Sequence, residues 1–161
     1  GGRLAPGSSA GTLDISGDLS FAGGSALALE ITGATPGDGS GFYDQVNVMS
    51  GGISIANGAQ ISLSLSGFVP VGDEIFYVLT QPGVDPVAGF FAGAAEGDTV
   101  GLGNGLYAQI TYEANWAGTQ AGSTIDGGND VALFSVIPEP GMAAMLLMGL
   151  SAVAGFRRRR S

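Results

Sequence analysis

Short segments in which apolar and polar residues alternate run along most of this chain, and glycines separate them. In residues 60–66, Ile61, Leu63 and Leu65 alternate with polar residues, which gives one face to bury and one face to hydrate. No window before Pro138 repeats its apolar residues every 3.6 positions, as an amphipathic helix would. The sequence therefore predicts an all-β domain. The predicted strands are residues 12–16, 19–21, 26–31, 45–49, 52–56, 60–66, 74–80, 106–112 and 130–136.

Two all-β architectures fit strands this short and this closely spaced: a β-sandwich and a parallel β-solenoid. The stretch GRLAPGSSAGTL at residues 2–13 resembles the final rungs of autotransporter-like passenger β-helices, and the resemblance extends over about the first 80 residues. We therefore predict a parallel β-solenoid, with β-helix-like rungs followed by an irregular cap after Gln81. Residues 82–104 are predicted to be a loop-rich excursion, and the last two strands would close the domain. The β-sandwich is the alternative.

The charged residues are almost all acidic, which limits the partners and reactions open to the domain. Arg3 is the only cationic side chain before the C-terminal arginines, against 14 acidic residues, so residues 1–156 carry a net charge of −13. Such a surface repels phosphate backbones, and we predict no nucleic-acid partner. These residues contain no histidine, cysteine or lysine. Ser–His and Cys–His nucleophiles are therefore excluded among them, and a lyase would lack its usual basic group.

Paired carboxylates are the remaining catalytic option, since two acidic residues about 5–9 Å apart can hydrolyse a glycosidic bond. Asp14 and Asp18 flank one predicted turn, and Asp73 and Glu74 lie at another. Acidic residues beside glycines are typical of solvated turns, where a carboxyl keeps the pKa of a free side chain. We therefore predict no catalytic residues in this chain, and no enzyme.

One acidic segment raises the question of a metal ion. The sequence DGGNDVAL at residues 126–133 resembles a shortened half of the calcium-binding repeat of parallel β-rolls. Asp126, Asn129 and Asp130 would then supply oxygen ligands of the kind that Ca²⁺ prefers. A single copy lacks the neighbouring repeat that normally shares each ion, and the same residues are typical of a turn before a strand. We favour the turn and predict that the domain needs no cofactor, with calcium as the alternative.

The C-terminal residues have a pattern of their own. Pro138, Glu139 and Pro140 precede an uncharged apolar run at residues 141–156, and four arginines follow. As a helix, the apolar run would be about 24 Å long, slightly short of a hydrocarbon core of about 30 Å. We predict one transmembrane helix there. The arginines would stop transfer and keep the C-terminus in the cytoplasm. These membrane-stop residues are Arg157, Arg158, Arg159 and Arg160.

This tail resembles the PEP-CTERM protein-sorting signal of Gram-negative bacteria, with Pro138, Glu139 and Pro140 as the sorting motif. The resemblance implies that a membrane-embedded exosortase recognises the tail and removes or replaces it during export. It also implies a host that makes extracellular polysaccharide, a possible second partner. We accordingly divide the chain into an exported domain at residues 1–136 and a sorting signal at residues 137–161.

The combined prediction is an exported structural or adhesive protein of the cell envelope or extracellular matrix, such as a biofilm. It would be anchored transiently in the inner membrane and then reach the cell surface or the medium. Because the sequence starts with Gly-Gly-Arg, we expect a longer precursor with an export signal. One alternative is the C-terminal module of a polysaccharide-active enzyme whose catalytic residues lie upstream. Another is a membrane-anchored carbohydrate-binding module, for which Trp116 is the strongest candidate for an exposed ring among aromatic residues that mostly fill the core.

Overall fold

A computed structural model describes residues 1–7 and 10–138. Within those residues the regular structure is β-strand apart from one 3₁₀ turn at Gln120–Gly122, so the all-β prediction is confirmed. The strands are β1 Arg3–Leu4, β2 Thr12–Ser16, β3 Leu19–Phe21, β4 Ala26–Ile31, β5 Gln45–Ser50, β6 Ile53–Ile55, β7 Gln60–Leu65, β8 Phe76–Thr80, β9 Thr99–Gly103, β10 Leu106–Ala114 and β11 Asp130–Pro138. No helix in these two ranges is long and apolar enough to cross a membrane. The predicted transmembrane helix at residues 141–156 lies outside the described residues.

The strands form three sheets that together make a half-barrel. A three-stranded sheet has the order β1-β4-β7, a two-stranded sheet pairs β3 with β6, and a six-stranded sheet has the order β2-β5-β8-β11-β10-β9. The first two sheets are entirely parallel. In the large sheet, β2, β5 and β8 are parallel, whereas β8, β11, β10 and β9 pair antiparallel.

The predicted parallel β-solenoid is wrong, because the large sheet is mixed and the chain reverses direction after β8. Parallel partners such as Thr12 and Gln45, or Leu19 and Ile53, are 33 or 34 residues apart, but this pairing is confined to the first part of the chain. The strands expected to close an irregular cap instead lie inside the large sheet, where β11 runs between β8 and β10. The β-sandwich alternative fails as well, since it requires antiparallel sheets and every sheet here contains parallel pairs.

One apolar core fills the space that the sheets enclose. Leu27, Ile31, Val46 and Val78 are fully buried in it. The Tyr43 ring meets Phe76 edge to face, with the two ring centroids 5.3 Å apart. Parallel strands that are buried on both faces read as continuous apolar runs, which is the pattern of β8.

A segment at Ala88–Gly89 packs closely on β6. The Ile55 amide donates a hydrogen bond to the Ala88 carbonyl at 2.7 Å, and the Ala88 amide donates to the Ile53 carbonyl at 3.0 Å. Gly89 has φ +91°, and a Cβ atom there would lie 2.2 Å from the Ile55 carbonyl oxygen. Both the left-handed backbone and the lack of space therefore require glycine at this position.

Candidate functional site

The described part of the chain ends in strand β11, which leads directly into the C-terminal motif. β11 pairs with β10 up to its last residue, so that Pro138 lies opposite Leu106 and Ile137 lies opposite Tyr107. Val136 is buried, whereas Ile137 and Pro138 are exposed. The first proline of the motif is thus held at the end of a paired strand. Glu139, Pro140 and Arg157, Arg158, Arg159 and Arg160 lie outside the described residues.

A β-bulge precedes this exit. Between the pairs Gln109–Phe134 and Tyr107–Ile137, β11 advances three residues while β10 advances two. The extra residue falls at Ser135, which has φ +55°, a left-handed conformation that is uncommon outside glycine. Bulges bend a strand and re-aim the residues that follow. The bulge therefore sets the direction in which the chain leaves the sheet, and nothing in the sequence around Ser135 indicates it.

The three calcium candidates lie at the other end of β11 and have separate structural contacts. Asp130 is 4% exposed, and its two carboxylate oxygens accept hydrogen bonds from the Gln81 amide at 2.8 Å and the Trp116 amide at 2.7 Å. The buried Asn129 side chain donates to the Asp85 carbonyl at 3.0 Å. Asp126 is exposed. Within residues 1–7 and 10–138, no group of three acidic residues could hold a metal ion.

Asp44 is a second buried carboxylate, and its burial was not predicted from the sequence. Its oxygens accept hydrogen bonds from the Gly11 amide at 2.6 Å and the Glu30 amide at 2.8 Å, so it connects β2 to the end of β4. Burial raises the pKa of Asp44, as it does that of Asp130, and the backbone hydrogen bonds oppose the rise. The expectation that all acidic residues behave as solvated turn residues is therefore wrong for these two. Tyr43 beside Asp44, in the same segment, is buried as well.

The acidic pairs weighed as catalytic residues also serve local structure. Asp14 accepts a hydrogen bond from the Asn47 side chain at 3.0 Å, and Asp18 accepts one from the Gly52 amide at 2.9 Å. Glu74 accepts hydrogen bonds from the amides of Val71 and Gly72 and thereby closes a tight turn. Each of these three carboxylates thus accepts a hydrogen bond from a neighbouring group and stabilises the local structure.

Arg3 lines a shallow groove of about 280 Å³ on the β1-β4-β7 sheet. Glu30, Asp44, Ser62 and Ser64 line the same groove, and no aromatic residue is among its walls. Both oxygens of Asp44 are occupied by backbone amides, as described above. The groove therefore offers hydroxyl groups, the Arg3 guanidinium and the Glu30 carboxylate, without the ring that usually stacks on a sugar.

The aromatic side chains are distributed differently from what the sequence indicates. Trp116, expected to be the exposed one, is half-buried and lies on Tyr77, with 5.0 Å between the ring centroids. Among the aromatic residues that the structure describes, Phe42 and Phe90 are exposed, and Phe90 packs its ring edge to face on Tyr112. Trp116 therefore belongs to a small satellite core.

Comparison with known protein families gives a match for the residues at and after the end of β11. Residues 136–160 match the PEP-CTERM protein-sorting motif. The PEP-CTERM match begins at Val136, so it overlaps the last three residues of β11. Searches of curated proteins and of solved structures give no match. The autotransporter-like resemblance of the first residues finds no support.

The PEP-CTERM match supports sorting of this chain to the cell envelope by exosortase, a membrane enzyme. It implies export and passage through the membrane toward the cell surface. The matched tail is thus the part of this chain to which the comparisons assign a function.

Proposed function

We propose that the folded domain is a non-catalytic structural or adhesive component of the cell envelope or extracellular matrix, delivered there through its PEP-CTERM tail. The single observation that supports delivery is the PEP-CTERM match at residues 136–160. The exposed position of Pro138 at the end of β11 is consistent with a motif that an enzyme must reach. The structural role rests on the inventory of the domain.

The inventory argues against catalysis by these residues. Transition-state anions require cationic or strongly polarised donors, and Arg3 is the only lysine or arginine before the tail. The two buried carboxylates, whose raised pKa values would suit general acids, are each engaged by two backbone amides. Hydrogen bonds from backbone amides stabilise the charged form of each carboxylate and connect neighbouring strands, which is a structural role.

Two alternatives from other classes have different requirements. A C-terminal module of a polysaccharide-active enzyme would take its catalytic residues from an upstream segment. A carbohydrate-binding module would need exposed aromatic rings, for which Phe90 and Phe42 are the available side chains. The acidic, cation-poor surface favours a soluble, self-repelling matrix component over a binder of acidic polysaccharide.

The sorting part is tested by cell fractionation with matched glutamate variants. Glu139 belongs to the motif, whereas Glu113 is an exposed glutamate of β10. In a host with its exosortase, we expect the wild type and Glu113→Ala to reach the surface or the medium. Glu139→Ala should stay in the membrane fraction. Equal distribution of all three proteins would refute the proposal.

The structural part is tested by incubating the purified domain with neutral and acidic polysaccharides. We expect no new reducing ends and no unsaturated products. Reproducible turnover that disappears in a single Asp→Asn variant would contradict the non-catalytic role. Retention on a polysaccharide column that Phe90→Ala abolishes would instead favour the carbohydrate-binding alternative.

A further inference from the structure

The described part of the chain ends at residue 138, beside two other segments. We name the three segments, residues 66–72, 101–107 and 135–138, the exit end. Leu106 pairs with Pro138 on one side and with Gly103 on the other. Gly72 lies against the Val136 carbonyl oxygen, 3.6 Å from the position that a Cβ atom would take. Gly103 lies against the backbone of Leu65, which precedes the first segment. The segments are therefore neighbours in space.

The exit end differs in charge from the rest of the domain. Its three segments contain no charged residue, whereas residues 1–138 as a whole contain 13 acidic residues and one arginine. Asp73 and Glu74 follow directly after the first segment, but the Glu74 carboxylate turns back to accept the amides of Val71 and Gly72 at 2.9 to 3.0 Å. The carboxylate of Glu74 therefore lies at this loop, held by backbone amides, and the remainder of the exit end carries no charge.

The exit end also exposes aliphatic side chains. Val71 is 86% exposed, Val69 is 75% exposed and Ile137 is 45% exposed. The loop that carries the two valines has a fixed base, because Phe68 packs edge to face on the buried Phe76 at a centroid distance of 6.4 Å and Glu74 closes its other end. Single exposed valines are ordinary on protein surfaces. Their position beside the start of a motif that a membrane enzyme processes is a further, independent observation.

The geometry points to a docking surface for the lipid bilayer: the exit end rests on the membrane, with Val69 and Val71 in the interfacial layer, while exosortase acts on the motif. This inference rests on the proposed sorting function. Only Glu139 and Pro140 separate the last residue of β11 from the apolar run at residues 141–156. Two extended residues span about 7 Å, so whatever holds that run in or near the bilayer also holds the exit end there.

Charge repulsion selects the same end. Anionic lipids give a membrane surface a negative potential, and an acidic surface pays electrostatic energy to approach it. Apart from the amide-bound Glu74 carboxylate the exit end carries no charge, so it meets less of that repulsion than the rest of the domain, and its valines gain by leaving water. An acidic domain docked in this way would present Pro138 at a constant depth and orientation.

The test is a depth measurement on the full chain. The sequence has no cysteine, so Val71→Cys provides a unique site for an environment-sensitive fluorophore. Val84→Cys is the matched control, because Val84 is 92% exposed and lies beside Asn129, where β11 begins. β11 is nine residues long and separates the two ends by roughly 25 Å. Each labelled chain is bound to phosphatidylcholine vesicles that contain nitroxide-labelled lipids.

We expect the nitroxide lipids to quench the label at position 71 several-fold more than the label at position 84. Equal quenching at both positions, or none at either, would overturn the proposal. As a second measurement, the unlabelled double variant Val69→Asp/Val71→Asp should be processed about tenfold more slowly in the exosortase host, whereas Val84→Asp should be processed at the wild-type rate. Equal rates for these two variants would also count against docking.

The two measurements separate this inference from the sorting function. If the wild type is not processed at all, the sorting function fails, and the vesicle measurement still decides the docking. If position 71 is not quenched but the double aspartate variant slows processing, the valines contact the enzyme, and the bilayer proposal is overturned.

Discussion

The substitution Asp130→Asn tests whether the acidic start of β11 is structural or a ligand. The Asp130 carboxylate accepts the Gln81 amide at 2.8 Å and the Trp116 amide at 2.7 Å, so it joins β11 to the segments that follow β8 and β10. The Gln81 side chain extends this network, since its oxygen accepts the Ile53 amide at 2.6 Å and its nitrogen donates to the Asp85 carbonyl. An asparagine keeps the shape but has one oxygen for two amide donors.

The magnitude follows from that mismatch. One charge-assisted hydrogen bond is lost, which costs about 1.5–3 kcal/mol, and one buried amide then faces an NH₂ group. Removing a buried negative charge offsets part of the loss, because burial disfavours the charged form of Asp130. We expect a net decrease of about 2 kcal/mol in the free energy of unfolding. For a domain of this size, that corresponds to a Tm lower by roughly 6–10 °C.

The assay is denaturant unfolding followed by circular dichroism, with Asp126→Asn as the control. Asp126 is exposed and lies four residues away, so its variant should stay within about 0.5 kcal/mol of the wild type. Equal stability of the two variants would refute the structural assignment. If millimolar calcium raised the wild-type Tm, and both variants lost that increase, Asp126 and Asp130 would be calcium ligands.

Three further outcomes follow from the structure. Gly89→Ala should lower the free energy of unfolding by more than about 2 kcal/mol. Gly93 also has a positive φ but has open space around it, so Gly93→Ala should lower the free energy of unfolding by only about 1 kcal/mol. Comparable losses in the two variants would show that the close approach at Gly89 is unimportant. The raised pKa values of Asp44 and Asp130 mean that the folded state binds more protons than the unfolded state between the unfolded pKa near 4 and the raised folded values. Stability should therefore rise as pH falls through that window, whereas Glu74, whose pKa is lowered, removes stability only at lower pH. A steady loss of stability across the window, measured by urea unfolding, would contradict these assignments. EDTA should leave the β-type circular dichroism spectrum unchanged, and a large loss of structure on chelation would point to a bound metal.

Strand positions could be predicted from the sequence because burial on one face repeats with a period of two residues. The predicted segments at residues 12–16, 19–21 and 26–31 coincide with β2, β3 and β4. Two strands were missed. β1 is only two residues long, and β9 lies in the region predicted as a loop, where its TVGLG sequence offers few side chains to reveal a pattern.

Strand direction could not be predicted in the same way. The alternation of apolar and polar residues is the same in parallel and antiparallel ladders. The glycine-rich connections also do not show whether the next strand runs parallel or antiparallel to its neighbour. The reversal after β8 brings β11 to the centre of the large sheet. That placement follows from the buried, apolar residues of β8 and β11, which need neighbours on both sides.

The site was predictable to the extent that it is local in sequence. The Pro138–Pro140 motif, the apolar run and the arginines are contiguous, so the tail could be recognised without a fold. Asp44 and Asp130 could not be recognised as buried, because their amide partners are up to 49 residues away in the sequence. Glycines two or three residues before them made both look like loop or turn residues. The bulge at Ser135 is a property of strand pairing, and a single strand does not reveal it.

The most direct test of the central claim is the intact mass of the protein exported from a host that has its exosortase. If the PEP-CTERM tail is a processing signal, the exported protein will lack Arg157–Arg160, while the same protein from a host without exosortase will retain them. An exported protein that still carries all four arginines in the exosortase host would contradict the account.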